Sequence, residues 1–295
     1  MGYKVEFKEV GISYKKTEAL KDVSFTLEEG KIYGLLGRNG AGKTSMLSLL
    51  AGYRQATKGT ILFDGNPLFE NEKAMEAIGL YYQNETVYEA RHSMNVKELV
   101  EQTGEFRPNF DKQYAQYLIK KFKLPLDKKM SELSKGMQAS FSVVLGLASR
   151  LPITVFDEVY LGMDAPTRTI FYRELLDDHA KNPRTIILST HLVSEMDYLF
   201  EEILIIDKGF LFINDSYESI VTKGVSITGS ASVVDEFASE LKIINEQTLG
   251  PTKAVAVYGE LSEQKQEEAF QKGLELGSVP LQDIFIYLTE EEEGA

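Results

Sequence analysis

Cysteine and tryptophan are absent from the 295 residues, and histidine occurs only 3 times. Without cysteine there can be no disulfide and no thiolate metal site, a composition that fits a cytosolic protein. Long apolar runs are missing too. No stretch approaches the roughly 18 apolar residues of a membrane-spanning helix. The nearest candidate, residues 141–156, is broken by Arg150 and Pro152. The N-terminus passes from Met1 into the alternating Tyr3, Val5 and Phe7 with no apolar core of a secretory signal. Positive charge is also scarce: 45 acidic side chains against 32 basic ones leave a formal net charge of −13. That balance argues against a nucleic-acid partner, because phosphate backbones are held by clustered Lys and Arg. A nucleotide site remains open, since it needs positive potential only at the phosphates.

What is present is ordinary for a globular protein, with 43% hydrophobic and 26% charged residues. Period-two alternation marks strands near residues 3–7 and 23–27, and the run 31–36 reads as a buried strand. Residues 95–150 change to helical periodicity, as in Val96, Leu99 and Val100, and read as an inserted helical subdomain. Strands return at 153–156, 185–188 and 203–206, with helices expected at about 165–180 and 192–199. This alternation predicts an α/β domain with a mainly parallel sheet. Lys208-Gly209 reads as a hairpin turn. After Asp215 a smaller α+β unit is expected, with a ferredoxin-like βαββα order and a last helix near 281–288. The expected division is therefore 1–214 and 215–295, with the helical subdomain at about 84–150 and the acidic run 290–293 forming a solvated tail.

The segment Gly37-Arg-Asn-Gly-Ala-Gly-Lys-Thr44 lies between a buried strand and a helix. It matches the phosphate-binding pattern G-x-x-x-x-G-K-[ST] in the structural context that pattern requires. Gly37, Asn39, Gly40, Ala41, Gly42 and Ser45 belong to the loop, whose glycines let backbone N–H groups turn toward a phosphate at a helix N-terminus. Lys43 would reach the β- and γ-phosphates of ATP, and the Thr44 hydroxyl would bind Mg²⁺.

About 110 residues downstream, Ile153-Thr-Val-Phe-Asp-Glu158 is an apolar strand ending in two carboxylates. Alone, such a pair is usually a strand meeting solvent. After a phosphate loop, Asp157 is a candidate Mg²⁺ ligand and Glu158 a candidate base for the attacking water. Gln83 closes the strand at 78–82, where its amide could touch the metal's water, and His191 follows the strand at 186–189, where it could contact the γ-phosphate. His92 and His179 have no comparable context.

With these elements in order, residues 3–214 resemble the nucleotide-binding domain of ABC transporters. The discriminating segment is Leu133-Ser-Lys-Gly-Met137, which stands where that family carries Leu-Ser-Gly-Gly-Gln. The resemblance implies the P-loop ABC ATPase fold, a mixed sheet with a helical subdomain. It also implies that Ser134 and Gly136 bind the γ-phosphate of ATP held by an opposite protomer, that Tyr14 stacks on adenine, and that Leu161-Gly-Met-Asp164 links the two sites. Gln83 and the helical insertion would receive the membrane subunit. Lys135, Met137, Val159 and Tyr160 depart from the commoner family residues.

A finer resemblance, carried by the Lys-Gly-Met signature and Pro280-Leu-Gln-Asp-Ile-Phe-Ile-Tyr-Leu-Thr289, is to ATPases of ABC-2 type exporters of antibiotics or of antimicrobial or amphipathic peptides. The implied partners are separate transmembrane permease subunits and a second ATPase subunit, with a location on the inner face of the cell membrane. Two other readings stay open at this point: a soluble ABC ATPase without a membrane partner, and a P-loop small-molecule kinase.

Overall fold

The computed structural model describes residues 3–82 and 94–289. Strands β1 (Val5–Tyr14) and β2 (Thr17–Leu27) pair antiparallel and bury Val5, Phe7, Phe25 and Leu27. β3 (Ile32–Leu36) is buried at every residue and leads through the glycine loop into α1 (Lys43–Leu50). β4 (Lys58–Phe63) and β5 (Asn66–Pro67) extend the first sheet. Helix α2 (Glu72–Ala77), capped by the Asn71 side chain, precedes β6 (Ile78–Tyr82).

The described part of the helical stretch contains α3 (Val96–Phe106), α4 (Lys112–Lys121) and α5 (Lys135–Ala148). Each begins where a side-chain oxygen, from Asn95, Asp111 or Ser134, accepts a first-turn N–H that has no partner within the helix. The chain continues through β7 (Ile153–Asp157), α6 (Ala165–Lys181), β8 (Thr185–Thr190), β9 (Glu202–Asp207) and β10 (Phe210–Ser216). Lys208 and Gly209 both have positive φ, 47° and 86°, as a two-residue type I′ hairpin requires.

The second sheet has the order β10-β9-β3-β8-β7-β6, with β3, β8, β7 and β6 mutually parallel. Residues of β7 and β8 are buried throughout, which fits the consecutive apolar residues Val155–Phe156 and Ile186–Leu188 in place of strict alternation. One apolar cluster joins the two sheets and α1, with Phe7, Leu27, Leu35, Met46, Phe63, Val155 and Ile206 among its members.

The described residues form two compact units. The larger takes the chain through His191 together with Leu204–Asn214, and the smaller takes Leu192–Ile203 and the chain from Asp215 on. The helix expected at 192–199 is instead two single 3₁₀ turns, Val193–Glu195 and Asp197–Leu199, joined at Met196 (φ −132°, ψ −7°). The buried Val193, Met196 and Leu199 recur every third residue, a spacing that aligns side chains on a 3₁₀ turn.

The smaller unit continues with α7 (Tyr217–Lys223), β11 (Gly224–Ser230), α8 (Ala231–Ala238), β12 (Ile243–Leu249), β13 (Thr252–Tyr258), α9 (Glu263–Gln271), β14 (Glu275–Ser278) and α10 (Leu281–Thr289). Its sheet order is β12-β13-β11-β14 with every pair antiparallel, so β11 to β14 trace the split βαββαβ arrangement. Ile227, Val234, Phe237, Val255, Val257, Ala269 and Leu274 make its core. Within this unit α10 meets the Val193–Glu195 turn, where the Ser194 N–H donates to Gln282 Oε1 at 3.1 Å. Phe237→Ala should destabilise the smaller unit by about 3–5 kcal/mol. Amide hydrogen exchange would then accelerate in β11 and β13, and unchanged protection there would show that Phe237 does not anchor this core.

Candidate active site

The glycine loop places its features through backbone conformations that side chains resist. Gly42, the residue before α1, has φ 114°, and a Cβ there would lie 2.7 Å from the Ala19 carbonyl oxygen. Only glycine fits. The next residue, Lys43, is buried (6% exposed), and its Nζ donates to the carbonyls of Gly37 at 2.7 Å and Arg38 at 3.3 Å. The same Nζ stands 3.3 Å from Glu158 Oε1.

Asp157 closes β7, directly opposite Ser189 of β8 in the parallel register. Its Oδ2 accepts from the Thr44 hydroxyl at 2.9 Å, and its Oδ1 accepts from the Ser189 hydroxyl. Burial pushes the Asp157 carboxyl above its usual range; bonds from Ser189 and Thr44 oppose the push, neighbouring Glu158 adds to it, and Lys43 opposes it. The paired oxygens of Thr44 and Asp157 are hard donors of the kind Mg²⁺ takes.

Glu158 follows with φ 46°, a left-handed conformation that costs a non-glycine residue about 1–3 kcal/mol. The strain is held by backbone bonds on both sides: its N–H donates to Ser189 O at 3.3 Å, and its carbonyl accepts from the Leu161 N–H at 3.0 Å. Its carboxylate lies 3.1 Å from His191 Nδ1. Thus Lys43, Thr44, Asp157, Glu158 and His191 are all brought together at the carboxyl ends of parallel strands. A cavity of about 350 Å³ beside them is lined by Tyr14, Thr44, Ser45, Ser48, Arg54, Tyr82 and Asp157. Tyr14 therefore opens onto the same space as the phosphate loop, and the Arg54 guanidinium lies 5.0 Å from its ring centroid.

Ser134 and Gly136 do not line this cavity. Ser134 caps α5 by accepting the Met137 N–H at 3.3 Å. Gly136 packs against Gly162, whose carbonyl oxygen would lie 2.5 Å from a Cβ at position 136. The signature segment and the Leu161–Asp164 loop are thereby locked side by side. Gln83 and His92 lie outside the described residues. His179 Nε2 sits 3.0 Å from the Gly30 carbonyl and 3.1 Å from that of Arg184, a structural role. Ser189, Tyr160 and Arg54 are members of the site that sequence reasoning missed. Only the register of β7 against β8 would have revealed Ser189.

A family model described as ABC transporter matches residues 20–160. The ABC transporter ATP-binding protein YtrB of Bacillus subtilis (strain 168) is 34% identical over 199 residues, covering 68% of this chain and 67% of that protein. This chain belongs to the ABC transporter ATP-binding proteins. It is an ATPase subunit of such a transporter. The zinc uptake system ATP-binding protein ZurA of Listeria innocua is also similar, 27% identical over 223 residues, with 72% of this chain and 86% of that protein covered. In fold, the ATPase superposes on a dimeric ATP-binding cassette in a post-hydrolysis state with ADP and Pi, with a TM-score of 0.61, 20% identity and coverage of 72% and 98%. Among the described residues no helix is long and apolar enough to cross a membrane.

The raised Asp157 carboxyl has a consequence for stability. Its folded form prefers the proton more than the unfolded form does. The stability it contributes is full below the unfolded carboxylate value and is lost as pH rises through the folded one. Asp157→Asn, whose amide can still bond both hydroxyls, should raise the stability of the nucleotide-free ATPase at pH 7 by about 0.5–2 kcal/mol. Thermal melts check this; a lower midpoint would show that the carboxylate's bonds outweigh its burial.

Proposed function

We propose that this ATPase powers an exporter whose membrane-spanning subunits are separate chains, and that two copies close over two ATP molecules. The observation that carries the catalytic part is the meeting of Lys43, Glu158 and His191 within 3.3 Å steps beside the phosphate loop. On ATP binding, the loop N–H groups and Lys43 hold the phosphates, and Lys43 exchanges the carbonyls of Gly37 and Arg38 for phosphate oxygens. Glu158, released from Lys43, accepts a proton from the attacking water or orients it, and His191 donates to the γ-phosphate. Tyr14 stacks on the adenine. Thr44, Asp157 and Gln83 would hold Mg²⁺, which when bound would neutralise negative charge on the phosphates.

Ser134 and the Gly136 N–H, at the N-terminus of the 14-residue α5, serve the ATP of the partner copy. Hydrolysis then lets the pair open, and this motion is passed to the permease subunits through Gln83 and the helical segment. The working location is the cytoplasmic face of the membrane. The export direction, with a cargo of antimicrobial or amphipathic peptides or lipid-like compounds, rests on the Lys135 and Met137 signature and the sequence of residues 280–289. Residues 215–295 form an accessory domain.

Glu158→Gln should keep ATP binding while lowering turnover by about 10²- to 10⁴-fold. Phosphate release in the absence of any acceptor, measured beside equilibrium binding of a fluorescent ATP analogue, reads both. Normal phosphate release by this variant would remove Glu158 from the catalytic role, and phosphate transfer that needs an acceptor would favour a kinase.

A further inference from the structure

Behind His191 stands a tyrosine that the mechanism above does not use. Tyr160 follows the Asp157-Glu158 pair by two residues and is 1% exposed, although it belongs to the loop after β7. Its hydroxyl oxygen accepts from the Thr190 hydroxyl at 3.0 Å and from the His191 backbone N–H at 3.4 Å. It also lies 3.4 Å from His191 Nδ1, and the two rings are 6.3 Å apart between centroids. With two donors directed at the phenol oxygen, Nδ1 is within reach of the phenol's own proton whenever that nitrogen is bare. That nitrogen has a second neighbour, Glu158 Oε1 at 3.1 Å.

The two neighbours ask for opposite proton positions. An ionised carboxylate only accepts, so the Glu158 contact requires a proton on Nδ1. A phenol that donates requires Nδ1 to be bare, which in a neutral imidazole puts the proton on Nε2. A γ-phosphate oxygen is also an acceptor only. A neutral His191 therefore serves it through Nε2–H, and that tautomer leaves Nδ1 in need of a donor. Glu158 cannot be that donor while it acts as a base.

We infer that Tyr160 is a positioning residue that donates to His191 Nδ1 and holds the ring in the Nε2–H tautomer once Glu158 has turned to the attacking water. The arrangement with Nδ1 3.1 Å from Glu158 Oε1 is then the resting one, and the Tyr160 hydroxyl is the partner that takes over. This rests on the reading that Glu158 and His191 serve hydrolysis. It adds a requirement for a hydroxyl on a buried ring at position 160, which the sequence shows only as a departure from the commoner family residue.

The test compares Tyr160→Phe and His191→Gln with the unaltered chain. With 3 histidines in the sequence, the His191 ring signals are assigned by their loss in His191→Gln. Nitrogen-15 NMR is recorded with the non-hydrolysable analogue AMP-PNP and Mg²⁺. In the unaltered chain the His191 pattern should be that of the Nε2–H tautomer, and in Tyr160→Phe it should move toward Nδ1–H. Tyr160→Phe should also lower kcat about tenfold, the value of one hydrogen bond, with KM for ATP within about twofold. A lower melting temperature with an unchanged tautomer and an unchanged kcat would overturn the inference and leave Tyr160 a packing residue. His191→Gln hydrolysing ATP at the unaltered rate would instead overturn the underlying catalytic reading.

Discussion

The Asp157 carboxylate sits between two hydroxyls, Thr44 at the start of the helix after the glycine loop and Ser189 on the neighbouring strand. A buried charge of this kind is costly unless it is hydrogen-bonded. Here its bonds tie three elements together: α1, β7 and β8. The glycine loop is anchored to the sheet through that carboxylate, so the loop's distance from Glu158 and His191 is set by strand register and not by flexible side chains. The burial of every residue of β7 and β8 serves the same end, because a slip by one residue would move their polar ends into the core.

Around this anchor the site stores unfavourable features. Glu158 is held at positive φ, Lys43 is buried against backbone carbonyls, and the two form an ion pair of 3.3 Å. These features fit a resting state in which the base and the phosphate-binding cation neutralise each other. In the proposed mechanism, nucleotide phosphates compete for Lys43 and so free Glu158, which would couple substrate arrival to the readiness of the base. The signature residues stand apart from this cluster, at the N-terminus of α5, where Gly136 packs against Gly162. In the proposed reading, a single chain carries the phosphate loop of one site and the signature of another.

Much of this was legible in residue order. The phosphate loop, the apolar strand ending in Asp157 and Glu158, and His191 after a strand are local patterns whose geometry follows from the secondary structure that bears them. What was not legible depends on pairing between distant segments. Ser189 enters the site only because β8 lies beside β7 in a particular register, and Tyr160 because its loop folds back under Thr190 and His191. The turns at 193–199 read as a helix because apolar residues three apart suit either a helix or a 3₁₀ turn. Strand β14, only four residues long and containing glycine and serine, carries little periodicity of its own and forms through pairing with β11.

In the proposed mechanism each ATP is gripped by the phosphate loop of one copy and the signature of the other. Two variants that disable opposite halves test it directly. Lys43→Ala removes the phosphate-binding cation, whereas Ser134→Asp still caps α5 but sets a negative charge where the partner's phosphate must sit. Each variant alone should be inactive. Mixed in equal amounts and allowed to exchange subunits, they should recover about a quarter of the unaltered ATPase rate, because half the dimers then contain one intact composite site of two. A mixture as inactive as its components would contradict composite sites and place the whole catalytic apparatus within one chain.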